Sequence, residues 1–197
     1  MNEYDFTRDH VTPHISSWKK VYEYLSNNFG SDLNCLEIGT FEGKSAIYFL
    51  DNFTGDNGKL TVIDNFWDKT YESRYNYNIN NNIKSKQVVT LKGSSLTQLP
   101  ILYETCPESF DFIYLDAGKT SVDNMYNMLM AERLLKVGGL LIVDDYYWHL
   151  TQPHLELKET PHLAIKAFMD ITLLCDWYEA PKHQAIIIKR NPNSIIK

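Results

Sequence analysis

The chain has 197 residues, 44% of them hydrophobic and 22% charged, which suits a globular domain large enough to bury a core. A formal net charge of -6 argues against a nucleic-acid backbone as the main partner, because phosphate binding needs a basic surface. No apolar run approaches the roughly 20 residues of a membrane span, and the opening MNEYDFTRDH lacks a secretory pattern, so a cytoplasmic protein is expected.

In chain order, Ile15, Trp18, Val21, Tyr22 and Leu25 fall at helical spacing and predict an amphipathic helix ending at Gly30. Residues 1–30 then form a helical extension, and residues 31–190 an α/β core within one domain spanning 1–197. Leu33 to Ile38 reads as a strand, Lys44 to Asn52 as a helix, and Leu60 to Asp64 and Gln87 to Leu91 as strands. Tyr71 to Asn82 is polar and weakly periodic, so a solvated loop, a frayed helix or a mobile cover over a ligand is expected. A helix follows over Leu96 to Tyr103, capped by Ser94 or Ser95. Phe110 to Asp116 is a strand, Val122 to Leu135 a helix and Leu140 to Val143 a buried strand. Thr160-Pro161 opens a helix, with a capping hydroxyl before a proline at the first helical position. Leu173 to Tyr178 and Ala185 to Ile188 form a closing hairpin. Such alternation predicts a Rossmann-like, doubly wound, mostly parallel seven-stranded sheet with an antiparallel C-terminal hairpin. The cysteines Cys35, Cys106 and Cys175 are far apart and outside any C-x-x-C pair, which predicts small buried thiols rather than a disulfide or a zinc site.

Ligands of such sheets collect at the carboxyl ends of the strands. Acidic residues stand there on four successive strands: Glu37, Asp64, Asp116 and the pair Asp144-Asp145. LEIGTFEGKS is a strand, a glycine turn and a helix start. Gly39 admits a close backbone approach, Gly43 a tight helix entry, and the helix N-terminus suits an anionic group. The pattern G-x-x-x-G is not the G-x-G-x-x-G of a dinucleotide site. Glu37 would repel a pyrophosphate but attract a sulfonium and an ammonium.

On these residues the chain resembles the class I S-adenosylmethionine-dependent methyltransferases, over roughly Leu33 to Arg190. It is most similar to the metal-dependent O-methyltransferases related to catechol O-methyltransferase. The resemblance implies a cofactor set of Glu37, Gly39, Thr40, Phe41, Gly43, Ser45, Asp64, Asn65, Ser94, Ser95 and Asp116. Within it Gly39 would meet the methionyl amine, Ser45 the methionyl carboxylate, Asp64 both ribose hydroxyls, and the turn Gly93-Ser94-Ser95 the adenine.

FDFIYLDAGKT and LLKVGGLLIVDDYYW carry the remaining chemistry. Asp116, Asp144 and Asp145 can converge at neighbouring strand tips, where mutual repulsion calls for a cation. An oxygen-only set suits Mg²⁺ or another hard divalent ion. The family's ligands are an Asp and then an Asp-Asn pair. Here the pair is Asp-Asp, similar to metal-dependent sugar O-methyltransferases of antibiotic pathways. Lys119 stands three residues after Asp116, as the catalytic lysine does in the family, although D-A-G-K replaces the commoner D-A-D-K. The resemblance implies that Lys119, its pKa lowered by burial and the metal, takes a proton from a metal-bound hydroxyl, with Asp116 beside it.

His149 is a rival base, with His154 and His162 in the same connection, whereas His183 reads as structural. Tyr146, Tyr147 and Trp148 could line an acceptor pocket or be core. That pocket would be formed by the N-terminal segment, the Tyr71 to Asn82 stretch and the loop from Tyr146 to Thr160. The function expected is divalent-metal-assisted O-methylation of a small-molecule hydroxyl, on a sugar or a phenol. The alternatives are a nicotinamide-dependent oxidoreductase, lacking its glycine motif, and a non-catalytic cofactor-binding subunit. A nucleic-acid methyltransferase would show N-P-P-Y or D-P-P-Y where this chain has Asp144-Asp145-Tyr146-Tyr147.

Overall fold

In the computed structural model, residues 4–172, 175–180 and 183–191 are described. Seven strands form one sheet in the order β3-β2-β1-β4-β5-β7-β6. They are β1 (Asn34–Ile38), β2 (Lys59–Asp64), β3 (Val88–Lys92), β4 (Phe110–Leu115), β5 (Leu135–Val143), β6 (Cys175–Ala180) and β7 (Gln184–Lys189). The first five pair in parallel, while β7 runs antiparallel to both β5 and β6. The expected sheet and its C-terminal hairpin are therefore present; Leu173 and Leu174, assigned to that hairpin, lie outside the described residues. The helices are α1 (Ile15–Phe29), α2 (Lys44–Asn52), α3 (Lys69–Asn80), α4 (Ser95–Thr105), α5 (Ser121–Leu134) and α6 (His162–Ile171). No helix among the described residues is long and apolar enough to cross a membrane.

The central strands are buried on both faces, and their period of two divides the core. Phe112, Tyr114, Leu140 and Ile142 pack with Trp18, Phe49 and Phe53 from the side of α1 and α2. Ile113, Leu115, Leu141 and Val143 face Met128, Leu134, Ile165 and Phe168 from α5 and α6. Trp18, fully buried, is the key of the first face. It contacts Phe49 at 4.7 Å and Tyr114 at 5.4 Å. Burying side chains of this size stabilises by about 1.5–3 kcal/mol each.

The structure departs from the sequence expectations in three places. Of the alternatives open for Tyr71 to Asn82 the helix is the one formed, regular rather than frayed: α3 covers most of it, started by the Asp68 carboxylate, which accepts from Thr70 N at 2.7 Å. Its periodicity is hidden because Tyr75 and Asn78 are on the buried face beside Ile79. β5 begins at Leu135 rather than Leu140, with Gly138 (φ +80°) inside it and a register shift opposite Phe110 to Phe112. Thr160 does not cap α6. Its hydroxyl donates to Leu157 O at 2.8 Å, and Pro161 occupies the cap position.

Candidate active site

A cavity of about 900 Å³ opens at the carboxyl ends of β1, β2, β4 and β5, near the upper end of the usual size for a small-molecule site. Its walls include Gly39, Thr40, Phe41, Ser45, Asp64, Asn65, Ser94 and Ser95 on one side. Asp116, Lys119, Asp144, Asp145 and Trp148 form the other. Of the sequence-derived set, Glu37 and Gly43 do not line the cavity.

The glycine turn is held by its neighbours. Gly39 (φ +87°) donates its N–H to Ile63 O at 2.8 Å, and a Cβ there would come within 2.3 Å of Asp116 O. The glycine thus meets a demand of the adjacent strand tip before any ligand arrives. Phe41 follows in the left-handed region at φ +54°. Asp64 fixes this turn: its Oδ2 accepts from Thr40 N (2.8 Å) and Phe41 N (3.3 Å), and its Oδ1 from Phe66 N at 2.7 Å. Gly43 starts α2 with no side-chain cap, so the first N–H groups of that helix remain open to an anion. Ser45 sends its hydroxyl to Glu37 Oε1. Glu37 is fully buried behind it, with the buried Thr40 hydroxyl as its second neighbour. Burial pushes the Glu37 carboxyl up to about 8, with the charges of Asp116 and Asp64 acting in the same direction and the Ser45 hydrogen bond opposing them. Ser94 caps α4, accepting from Leu96 N at 3.2 Å. These residues suit S-adenosylmethionine: open N–H groups for a carboxylate, an acceptor at Asp64, and a buried acid beneath a cationic centre.

The other wall is arranged differently. The Lys119 ammonium donates to Asp116 Oδ1 at 2.7 Å and to Asp145 Oδ2 at 2.5 Å. Asp144 does not join them. Its Oδ2 accepts from the Tyr114 hydroxyl and from Gln184 Nε2 (3.2 Å), and its Oδ1 from the N–H of Asp145 at 2.8 Å. Gln184 in turn accepts from Trp18 Nε1 at 3.0 Å. Asp145 sits at φ +66°, a strained conformation for a non-glycine residue. Burial opposes the charge on Lys119, but Asp116 and Asp145 outweigh it and hold the ammonium above the ordinary lysine range. The carboxyls of Asp116 and Asp145 are both raised, by burial first; Asp144 adds to the rise at Asp116 and Asp116 to that at Asp145, against the pull of Lys119. Among the described residues no three His, Cys, Asp or Glu side chains are arranged to hold a metal ion. As these side chains stand, they do not fit a resident divalent cation.

Each segment expected to form the acceptor side contributes to the cavity: His10 and Val11 from the N-terminal segment, Tyr71 from α3, and Trp148 with Thr151 from the loop after β5. His149 is not in its wall; its ring lies 4.2 Å from that of His162, whose Nδ1 is 2.9 Å from Tyr146 O. His183, expected to be structural, reaches the wall, and its carbonyl accepts from Tyr146 N at 2.8 Å. The sequence did not single out Glu42 and Asn78, which fasten the N-terminal segment over the site. Glu42 accepts from Thr7 N and Oγ1, both at 2.6 Å, and Asn78 exchanges hydrogen bonds with the main chain of Asp5. Glu42 is hidden in the sequence as one polar residue of the glycine turn, and Asn78 as one of several asparagines in a polar stretch.

With this geometry in place, the comparisons with known proteins identify the chain. A family model described as O-methyltransferase matches residues 25–171. The chain belongs to the O-methyltransferase family. This O-methyltransferase uses S-adenosylmethionine as its methyl donor, in keeping with the cofactor wall described above. It is 23% identical over 176 residues to a probable caffeoyl-CoA O-methyltransferase of Dictyostelium discoideum, covering 84% of this chain and 72% of that one. It is 33% identical over 122 residues to caffeoyl-CoA O-methyltransferase 1 of Eucalyptus globulus, covering 59% of this chain and 46% of that one. Its fold matches the solved O-methyltransferase of Bacillus cereus in complex with SAH, with a TM-score of 0.71 at 17% identity, over 93% of this chain and 84% of that one.

Proposed function

We propose that this O-methyltransferase transfers a methyl group from S-adenosylmethionine to the hydroxyl of a small planar acceptor, a phenol before a sugar. The observation that carries this reading is the shared cavity, in which the cofactor wall faces the Lys119 cluster across the same space. Tyr71 packs at a tilt against Phe41 of the cofactor wall with ring centroids 4.2 Å apart, Trp67 meets Tyr71 edge-on at 5.4 Å, and Trp148 also lines the cavity, so the space offers aromatic surface suited to a flat ring. The relatives named for caffeoyl-CoA agree with a phenolic acceptor.

On this reading Glu37, Gly39, Thr40, Phe41, Gly43, Ser45, Asp64, Asn65, Ser94 and Ser95 form the cofactor half, and Asp116 is shared between the cofactor and the Lys119 cluster. Asp64 meets the ribose and the N-terminus of α2 meets the methionyl carboxylate; Glu37, Gly43 and the Ser45 hydroxyl act from beneath. At the reacting centre Lys119 stays charged and stabilises the acceptor oxygen as its proton leaves. The proton passes to the Asp116–Asp145 pair, whose carboxyls burial holds above the ordinary range and so suits to receive it. The oxygen then displaces the methyl group in line from the sulfonium, leaving S-adenosylhomocysteine. The Mg²⁺ expected from the motif has no step in this scheme.

The test is a calorimetric titration with S-adenosylhomocysteine followed by an acceptor panel of phenols and sugars. One binding site per chain near micromolar affinity, about -8 kcal/mol, and methylation of phenols ahead of sugars are expected. Absence of heat at two temperatures would remove the cofactor assignment; turnover of sugars alone would remove the phenol assignment.

A further inference from the structure

We infer that the resident cation of this site is the Lys119 ammonium, seated between Asp116 and Asp145 where the sequence motif points to a divalent metal. The inference deepens the proposed function and rests on its placing of the Lys119 cluster at the reacting centre.

Three independent features support it. The first is the seat itself: Asp116 and Asp145 come from the ends of two adjacent strands, and both direct one oxygen to Lys119 Nζ, at 2.7 and 2.5 Å. The second is the covering group. Trp148 lies with its ring centroid 5.7 Å from Nζ. Two carboxylates and an indole face make a cage for an ammonium. A hard divalent ion instead asks for an all-oxygen shell of carboxylates, carbonyls and water, and an indole face supplies none of it. The third is the diversion of Asp144. Tyr114 and Gln184 donate to one of its oxygens and the N–H of Asp145 to the other.

That diversion is built deep into the fold. Gln184 and Trp18 are both fully buried, and their hydrogen bond ties α1 to β7 beneath the site. Tyr114 is buried in the same core. Turning Asp144 outward to a metal would leave the Tyr114 hydroxyl and the Gln184 amide without their acceptor, each a penalty that buried donors rarely tolerate. The bond from the N–H of Asp145 also fixes the left-handed turn that aims Asp145 at the ammonium. Asp144 is thus a positioning residue for the lysine seat. A divalent ion reaches Asp116 and Asp145 only by displacing Lys119.

The experiment compares Mn²⁺ binding by the full chain and by Lys119→Met, read from the free-ion paramagnetic resonance signal and so independent of turnover. Lys119 belongs to neither core cluster, so the substitution leaves the core intact; unfolding temperature and S-adenosylhomocysteine binding, measured on the same samples, check this. Binding weaker than about 1 mM is expected for the unaltered chain, and at least tenfold tighter for Lys119→Met. Adding Asp145→Asn to Lys119→Met should abolish the gain, while adding Asp144→Asn should preserve it. Two results overturn the inference. One is equal Mn²⁺ affinity with and without the ammonium; the other is loss of the gained affinity with Asp144→Asn but not with Asp145→Asn. Failure of S-adenosylhomocysteine to bind the unaltered chain would instead strike at the cofactor reading, since the Mn²⁺ comparison does not use the cofactor.

Discussion

The two walls of the cavity are opposite in how they treat their own polar groups. On the cofactor wall the buried Glu37 carboxyl meets the hydroxyls of Ser45 and Thr40 and no cation among the described residues, and the start of α2 has no side-chain cap. On the facing wall each aspartate is engaged by the protein itself, two by Lys119 and the third by Tyr114 and Gln184. Unsatisfied buried groups cost free energy that a ligand can recover, whereas satisfied ones resist a newcomer. One wall is shaped to receive a cofactor; the other has supplied its own cation.

The largest expected effect breaks the second wall. Lys119→Met removes the charge facing the acceptor oxygen, so kcat should fall about 10²–10³-fold, the usual loss for one oxyanion-stabilising donor. Calorimetry should find S-adenosylhomocysteine affinity unchanged within twofold. A parallel loss of cofactor affinity would show that the two walls are not separable. Next in size is Asp64→Ala on the first wall. It removes the proposed ribose acceptor and frees three backbone N–H groups. Charge-assisted hydrogen bonds contribute about 1.5–3 kcal/mol, so S-adenosylhomocysteine binding should weaken by at least tenfold. Unchanged affinity would refute the ribose assignment.

The first wall was the more legible in the sequence, for a physical reason. Gly39, Asp64 and the start of α2 act through main-chain geometry at a strand-to-helix turn, and local sequence encodes such turns directly. The second wall depends on contacts between residues far apart in the chain: Trp18 with Gln184, and Gln184 with Asp144. Nothing local to Asp144-Asp145 distinguishes a carboxylate open to a metal from one already held by a glutamine forty residues away. Tyr114 is similar, since in FDFIYLD it reads simply as a core strand residue. The same limit hid α3, whose buried face is carried by Tyr75 and Asn78, because Asn78 is there to hold the main chain of Asp5. The mostly parallel direction of the strands, by contrast, was legible from β-α alternation.

A pH experiment sharpens the contrast from the side of Glu37. Its folded-state pKa is raised from 4.5 to about 8, mainly by burial. Between those values the folded protein binds more protons than the unfolded chain, so ligand-free stability should fall as pH rises through this window. The slope for one such group is at most about 1.4 kcal/mol per pH unit. Glu37→Gln, which keeps the shape and cannot ionise, should flatten the profile in denaturant titrations between pH 5 and 8. Saturating S-adenosylmethionine should flatten it too, because a cation above Glu37 favours the ionised form. A steep slope persisting in Glu37→Gln would place its source elsewhere.

The smallest effect tests the buried chain behind the second wall. Tyr114→Phe deletes one donor to Asp144 and leaves Gln184 and the N–H of Asp145 in place. Losing one of several partners to a buried carboxylate should cost about 1–2 kcal/mol, or roughly 2–8 °C in Tm for a chain of this size. Because Asp144 positions Asp145, kcat should fall by a few fold while S-adenosylhomocysteine affinity stays constant. Tyr114→Phe with full kcat but lowered Tm would leave Asp144 a purely structural residue. If Tm stayed constant while cofactor affinity fell, Tyr114 would belong to the first wall, and the division between a receptive half and a self-satisfied half would fail at that residue.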